Sequence, residues 1–145
     1  DYEYLVNMGS WFSHHSGYAV RQEKGKRIYM HRVIMEQHKP GFKGEIDHID
    51  MNGFSNQYSN LRVATKSQNN MNRKPYQNCS SQYKGVSWHK QYQKWRARIC
   101  YQGVTSFLGY FDNEIKAALT YDNAARRLYG PFARLNFPKE GERGV

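Results

Sequence analysis

The chain has 145 residues, enough for one or two small domains, and carries a formal net charge of +10 at pH 7 with an isoelectric point of about 9.7. This excess of positive charge favours a polyanionic partner such as nucleic acid. The alternative is a basic protein with no such partner. No apolar run long enough for a membrane helix and no signal-peptide pattern occurs, so we expect neither membrane insertion nor secretion.

The first half of the chain predicts two pairs of short strands and two short helices. Segments rich in β-branched and aromatic residues, bounded by turn residues, are typical of strands: 18–21, 27–30, 45–49 and 61–64. The first two form a β-hairpin. A short helix begins near His31 and ends before Pro40, and Thr65 or Ser67 caps a second helix that carries Asn69.

Turn-forming and linker residues between positions 73 and 82 predict a domain boundary. We place four segments along the chain: a first domain at 1–74, a linker at 75–82, a second domain at 83–138 and a tail at 139–145. Lys and Arg outnumber Asp and Glu on both sides of this boundary, so both domains can contact the same polyanion.

The second domain predicts a three-stranded antiparallel sheet braced by one helix. Its strands are predicted at 83–89, 94–101 and 104–110. The helix runs over 113–129 with Asp112 as its N-cap. In the middle strand, cationic and apolar residues alternate from Lys94 to Ile99, so one face of the sheet is cationic and the other apolar. Residues at helical spacing are expected to cover the apolar face: Ala117, Tyr121, Ala124, Ala125 and Leu128.

An Asp-His pair and two later asparagines carry the chemistry of the first domain. Hydrolysis of a phosphodiester requires a base for water and a means of neutralising charge on the phosphate. His48 suits the base, because the unperturbed pKa of a histidine side chain lies near neutrality. Asp47 and Asn69 offer oxygen ligands that suit Mg²⁺ or Mn²⁺. Zinc is not expected, because Cys79 and Cys100 form no Cys-x-x-Cys pair and read as ordinary thiols.

The geometry of the pair is demanding. Successive side chains of a strand point to opposite faces, so Asp47 and His48 need a strand end or a distorted backbone to act on one phosphate.

The Asp47-His48 pair, followed by Asn60-Leu61 after 12 residues and by Asn69 after a further 9, resembles the HNH endonucleases in their ββα-metal form. The resemblance implies that His48 activates water and that Asn60 orients His48. It also implies that Asp47 and Asn69 bind one divalent metal, and that the products carry a 5′-phosphate and a 3′-hydroxyl. The neighbouring Asn70 competes with Asn69 for its role.

Other residues near this core receive lesser roles. Basic side chains are predicted to contact DNA: Arg32, Arg62, Arg73 and Lys74. His31 is given a structural or phosphate-contact role, and Asp50 is interpreted as a turn residue rather than a metal ligand. The loop at 51–58 is rich in Asn but lacks the Arg that many members of the family carry there.

The second domain resembles the APETALA2/ethylene-response DNA-binding domain over about residues 81–138. The motifs that carry the likeness begin at Tyr83-Lys84-Gly85-Val86 and end at Leu135-Asn136-Phe137-Pro138. The resemblance implies a sheet in the major groove with a helix behind it. The positions that match the family's contacts are Lys84, Ser87, His89, Lys94, Arg96, Arg98, Thr105 and Phe107. Arg96 and Arg98 are the foremost of these, because Arg can bond guanine edges or clamp phosphate.

Taken together, these patterns predict an α+β protein in which a small ββα-metal nuclease domain precedes a three-stranded sheet braced by one helix. The predicted function is divalent-metal-dependent cleavage of double-stranded DNA by a phage or homing type of endonuclease. A monomer or weak dimer nicks one strand in the cytoplasm of a bacterial or phage-infected cell, with no organic cofactor. The alternatives are a sequence-specific DNA-binding regulator with an inactive nuclease core, and a protein that binds or cleaves RNA.

Overall fold

The computed structural model describes residues 2–73 and 79–144, and the chain divides into two compact units, Asp1–Lys66 and Ser67–Val145. The predicted DNA contact Lys74 and the linker positions 75–78 lie outside the described residues. Helices and strands are mixed in the described parts, which confirms the α+β class. None of the described helices is long and apolar enough to cross a membrane.

The first unit opens with a helix and a three-stranded antiparallel sheet. Helix α1 is Tyr2–Asn7, and the strands are β1 Phe12–His14, β2 Tyr18–Glu23 and β3 Lys26–Tyr29. The sheet has the order β1-β2-β3, so the predicted hairpin is confirmed as β2 and β3. Lys24 and Gly25 both have positive φ, as a two-residue turn between strands requires. Sequence patterns did not predict α1 and β1.

The centre of the first unit is a helix packed on a two-stranded sheet. Helix α2 is Met30–His38, and the strands are β4 Glu45–His48 and β5 Leu61–Ala64, which follows a 3-10 turn at Tyr58–Asn60. Strands β4 and β5 are antiparallel. Four buried residues form the core cluster between helix and sheet: Ile34, Met35, Ile46 and Leu61. This core fixes the strand that carries the Asp-His pair.

Helix α3, Lys66–Met71, crosses the division between the two units. Met71 is buried in a cluster with Ile99, Tyr121 and Ala125 of the second unit. Lys84 Nζ donates a hydrogen bond of 2.5 Å to the carbonyl oxygen of Met71. The end of α3 therefore packs with the second unit, whereas the sequence placed the whole helix in the first domain. The functional boundary at residue 74 stays a prediction.

The second unit contains the predicted sheet and helix. Strands β6 Val86–His89, β7 Lys94–Tyr101 and β8 Val104–Phe111 form an antiparallel sheet in that order. Helix α4, Glu114–Tyr129, covers one face and is followed by a 3-10 turn at Gly130–Phe132. Two buried clusters make the apolar contact between α4 and the sheet. One contains Val86, Ala97, Ala117 and Ala118, and the other contains Ile99, Tyr121 and Ala125.

Three details of this unit differ from the sequence analysis. Strand β6 begins at Val86 rather than at residue 83. The N-cap of α4 is Asn113, not Asp112, because Asn113 Oδ1 accepts a hydrogen bond from the backbone N–H of Lys116 at 3.1 Å. Leu128 does not cover the sheet, since 37% of its surface is exposed.

A buried carboxylate fastens the segment that follows α4. Asp122 is fully buried and accepts hydrogen bonds from the backbone N–H groups of Asn136 (2.9 Å) and Phe137 (2.8 Å). The side chain of Asn136 in turn accepts from the backbone N–H of Lys84 and donates to its carbonyl oxygen. These bonds explain the Leu-Asn-Phe motif physically, because they join α4, the segment that precedes β6 and the C-terminal segment.

Candidate functional site

The Asp-His pair lies at the end of a buried strand. His48 is the last residue of β4, so the strand end that the chemistry requires is present. Asp47 is 3% exposed and His48 is 7% exposed. Asp47 is the cross-strand neighbour of Arg62, whose Nε and Nη2 atoms donate to Asp47 Oδ2 at 2.8 and 2.6 Å. The proposed metal ligand is thus a buried carboxylate held by a guanidinium.

Asn56, which was not predicted from the sequence, forms a hydrogen bond with the ring of His48. His48 Nε2 and Asn56 Oδ1 are 3.0 Å apart, and both residues are buried. Asn56 Nδ2 donates to the carbonyl oxygen of Gly53 at 3.2 Å. The Asn-rich composition of the loop was the available signal, but only the path of the loop determines which asparagine reaches the ring.

The family resemblance implied that Asn60 orients His48, and the hydrogen bonds of the Asn60 side chain go to Asp50 and Ser55. Its Nδ2 atom donates to Asp50 Oδ1 at 2.9 Å and to the carbonyl oxygen of Ser55 at 2.7 Å, and its Oδ1 accepts from the backbone N–H of Asp50 at 3.1 Å. Asn60 therefore ties the two ends of the loop that carries Asn56. An effect of Asn60 on His48 would therefore pass through this loop.

Asp50 serves the loop as a turn residue. Its Oδ1 atom accepts from the backbone N–H of Asn52 at 2.8 Å and from Asn60 Nδ2. Partial burial raises the pKa of Asp50, but the hydrogen bonds from Asn52, Asn60 and Ser55 outweigh it and hold the pKa below its usual range. An ionised Asp50 keeps these bonds at neutral pH.

His31 lies beside the catalytic candidate. It is 9% exposed, and its ring lies 5.2 Å from those of Tyr18 and His48 and 5.5 Å from that of Tyr29. Burial, with the nearby His48 and Arg32, lowers the pKa of His31 to about 4. A ring that is neutral at pH 7 has no charge to offer a phosphate, which favours the structural role over the phosphate contact.

The donor chemistry at Asp47 fits a hard divalent cation. Among residues 2–73 and 79–144, no group of three or more His, Cys, Asp or Glu is arranged to hold a metal ion. Asp47 is a buried carboxylate that already stabilises the positive charge of Arg62, and carboxylate oxygens are ligands that Mg²⁺ and Mn²⁺ prefer. Asn69, the second predicted ligand, is partly exposed on α3.

The second unit presents the predicted DNA contacts on one face of its sheet. Cross-strand partners share a face, and the register pairs Ser87 with Arg96, His89 with Lys94, Arg98 with Phe107, and Cys100 with Thr105. A bulge between Ala97 and Arg98 shifts the register of β8. Helix α4 packs against the buried residues of the opposite face. Apart from Lys84, the predicted contacts therefore share the uncovered face.

Individual contacts on this face vary. Arg98 is exposed, whereas Arg96 is partly buried and donates from Nη2 to Ser87 Oγ at 3.3 Å. Lys94 forms an exposed ion pair of 3.1 Å with Asp112. Lys84 points to the carbonyl oxygen of Met71 instead, and burial, with Arg134 and Arg73, lowers the pKa of its ammonium to about 8.

An aromatic patch adjoins these cations, and the sequence analysis found only half of it. Its rings lie 4.8 to 5.2 Å from their neighbours along the surface: His89, Tyr92, Phe107 and Tyr110. Phe107 and Tyr92 are more than half exposed. Exposed aromatic rings beside arginines are typical of surfaces that bind nucleic acid.

Comparisons with known proteins find two likenesses. A family profile described as HNH endonuclease matches residues 28–71. The uncharacterized HNH endonuclease L560 of Acanthamoeba polyphaga mimivirus is 34% identical over 136 residues, which cover 91% of this chain and 69% of that protein. Protein 3.8 of Escherichia phage T7 is 35% identical over 89 residues, 61% of this chain and 73% of that protein.

The other likeness concerns the C-terminal part. Dehydration-responsive element-binding protein 2D of Arabidopsis thaliana is 48% identical over 64 residues. These cover 43% of this chain and 31% of the plant protein, so the chain spans about a third of that relative.

Proposed function

Because the chain belongs to the HNH endonuclease family, we propose that it hydrolyses phosphodiester bonds of double-stranded DNA with the help of one divalent cation. The observation that carries this proposal is the position of His48 at the end of β4. Its buried ring is fixed by Asn56, and the carboxylate of Asp47 precedes it in the chain. A fixed imidazole next to a hard oxygen ligand is what metal-assisted hydrolysis needs.

Each residue has a role in the proposed reaction. His48 accepts the proton of the attacking water. Asp47 and Asn69 would hold the cation, for which Mg²⁺ is proposed and Mn²⁺ is the alternative. A cation held there would offset negative charge on the scissile phosphate and on the departing 3′ oxygen. The products then carry a 5′-phosphate and a 3′-hydroxyl. Asn60 supports the loop behind His48, and Arg62 fixes the carboxylate of Asp47.

The second unit is proposed to bind the DNA. Its uncovered sheet face carries cationic side chains and aromatic rings, and its plant relative is named a dehydration-responsive element-binding protein. Arg96 and Arg98 are the proposed base or phosphate contacts, with Ser87, His89, Lys94, Thr105 and Phe107 around them. For Lys84 we propose a structural role instead, because its ammonium bonds the end of α3.

The number of catalytic sites in the chain determines how many DNA strands one molecule is proposed to cut. One chain carries one Asp-His pair with its asparagines, so a monomer is proposed to nick one strand at a time. Cutting both strands would take a dimer or a second event. The likeness to viral and phage proteins supports an enzyme of the phage or homing type.

Nicking of supercoiled plasmid tests the proposal. With Mg²⁺, the chain is expected to convert supercoiled circles into open circles. EDTA should stop the reaction, and His48→Ala should slow it at least about 100-fold, which is the scale of a lost general base. His15→Ala, which removes an exposed histidine of the same unit, is the matched control and should keep full activity.

The contrary outcome is equally defined. Tight, salt-sensitive binding without metal-dependent nicking, on plasmids that the chain demonstrably binds, would replace the nuclease with the DNA-binding regulator. Preferential binding to RNA in a competition with duplex DNA would favour the third alternative.

A further inference from the structure

We propose that Asn56 positions the catalytic base: its amide oxygen holds neutral His48 in the tautomer that carries its proton on Nε2, which makes Nδ1 the nitrogen that takes the proton from water. This inference rests on the proposed nuclease function and adds to it a residue outside the four that the family resemblance assigns. Asn56 acts through His48 and is a positioning residue.

The orientation of the Asn56 amide follows from its second partner. Asn56 Nδ2 lies 3.2 Å from the carbonyl oxygen of Gly53, and a carbonyl oxygen can only accept. The NH₂ group therefore faces Gly53, and the amide oxygen faces His48 Nε2 at 3.0 Å. An amide oxygen also can only accept, so Nε2 must be the donor.

The proton on Nε2 determines the chemistry of the other nitrogen. A neutral imidazole carries one ring proton, so its lone pair lies on Nδ1 when Nε2 is protonated. The opposite tautomer would set the lone pair of Nε2 against the oxygen of Asn56. Both side chains are 7% exposed, so water could not easily relieve that repulsion.

The loop holds the acceptor of this bond in place before substrate arrives. Gly53 lies so close to the turn between β1 and β2 that a Cβ atom on it would be 2.1 Å from the carbonyl oxygen of Gly17. Asn60 bonds the carbonyl oxygen of Ser55, the residue before Asn56. The resulting order of support runs from Asn60 through the loop to Asn56 and then to His48.

Two neighbouring aromatic rings further restrict the orientation of the His48 imidazole. The rings of Tyr18 and His31 lie 5.8 and 5.2 Å from it, and His31 meets it edge to face. These aromatic contacts limit rotation of the imidazole, but they do not determine which nitrogen is protonated. The hydrogen bond to Asn56 supplies that choice.

The test is the side-chain ¹⁵N spectrum of the metal-free, full-length chain at a pH where His48 is neutral, with its signals assigned from His48→Gln. The wild type is expected to show a protonated Nε2 and an unprotonated Nδ1. Asn56→Ala should mix the two tautomers and lower kcat for plasmid nicking roughly 10- to 100-fold with little change in KM, as losses of supporting partners do.

Two further variants sharpen the result. Asn56→Asp keeps an acceptor oxygen, so it should retain the wild-type tautomer and more activity than Asn56→Ala. Gln57→Ala changes an exposed neighbour in the same loop and should resemble the wild type. The wild-type spectrum needs no substitution, so the proposal stays testable even if Asn56→Ala folds poorly.

The outcomes separate this inference from the function on which it rests. A wild type that nicks DNA but carries its proton on Nδ1 would overturn the role of Asn56 and leave the nuclease standing. The role of Asn56 is overturned in the same way if Asn56→Ala keeps both the tautomer and kcat. A wild-type chain that never nicks DNA would overturn both the role of His48 as general base and the role of Asn56 in positioning it, whatever the spectrum shows.

Discussion

We expect the ion pair between Arg62 and Asp47 to weaken cation binding at the proposed site. Arg62 Nη2 lies 2.6 Å from Asp47 Oδ2, and a positive charge so near opposes a second one. We expect Arg62→Gln to bind Mn²⁺ about 3- to 10-fold more tightly in the absence of DNA, and Asp47→Asn to lose the binding. Titration of the free chain followed by electron paramagnetic resonance measures both.

Arg32→Gln is the control for net charge, because Arg32 is exposed in the same unit and donates to the carbonyl oxygen of Gly44. It should leave Mn²⁺ affinity within about twofold of the wild type, because Arg32 does not bond Asp47 and solvent screens an exposed charge. Equal affinities for all variants would place the cation elsewhere than at Asp47.

His31 makes the stability of the chain depend on pH. Burial lowers its pKa from 6.5 to about 4 in the folded state, so the unfolded chain binds more protons between these values. The stabilisation is present above about pH 6.5 and is lost as the pH falls toward 4. We expect His31→Phe to reduce the loss of unfolding free energy between pH 7 and 4 by roughly 2 kcal/mol.

Urea unfolding at several pH values measures this difference, with the same substitution at exposed His15 as the control. A His31→Phe variant whose stability falls with pH as steeply as that of the wild type would show that other groups are responsible.

Gly85, the residue directly before strand β6, lies against Tyr121 of helix α4. A Cβ atom on Gly85 would lie 2.0 Å from Tyr121 Cδ2, and Gly85 has a φ of +78°. We expect Gly85→Ala to destabilise the second unit by about 3 kcal/mol through overpacking and backbone strain together. Gly103→Ala separates the two causes, because Gly103 has a φ of +81° but no atom within 4 Å of its Cβ position.

Gly103→Ala should cost only about 1 kcal/mol, the strain alone. Chemical unfolding followed by tryptophan fluorescence reports on both, since Trp88 and Trp95 lie in this sheet. Equal losses of stability for Gly85→Ala and Gly103→Ala would mean that the Tyr121 side chain moves aside without destabilising the unit.

The regular elements were predictable because periodicity is local. Alternation along β7 and helical spacing along α4 gave both elements nearly as they are. The predictions were wrong where tertiary contacts determine which residue is buried. Helical spacing assigned Leu128 to the core, but Tyr129 takes the buried place there and donates from its hydroxyl to the carbonyl oxygen of Cys100 at 2.7 Å. Periodicity cannot show which of two adjacent residues finds such a partner.

The candidate site was predictable to the same degree. Spacing and residue type identified Asp47 and His48, and the structure places them at a buried strand end. Neither spacing nor composition could show that Arg62 holds Asp47 or that Asn56, rather than Asn60, reaches His48. Both contacts depend on strand register and on the folding of an irregular loop, which a sequence pattern does not encode.

Two basic units in one chain favour a division of labour between binding and cleavage. A sheet that binds DNA raises the local concentration, near the DNA, of a nuclease domain tethered to it. Even weak binding by the sheet would therefore be enough to bring the nuclease to its substrate. The helix that carries Asn69 ends in the core of the second unit, where Met71 is buried and Lys84 bonds its carbonyl oxygen. The second unit therefore supports a segment of the proposed catalytic set as well as the proposed DNA surface.

This division has a measurable consequence for Arg98 and His48. Arg98→Ala should weaken binding to cognate duplex DNA about 3- to 10-fold, and it should lower the slope of log affinity against log salt by about 1 if the lost contact is to phosphate. Lys116→Ala removes the same charge from an exposed position of α4, which packs against the other face of the sheet, and should change neither quantity appreciably.

The binding and cleavage functions should also separate in the variants. His48→Ala should bind DNA normally and fail to nick it, while Arg98→Ala should nick at the wild-type rate once the enzyme is saturating. Equal effects of Arg98→Ala and Lys116→Ala would show that affinity follows net charge alone, in which case the sheet face has no special part in recognition.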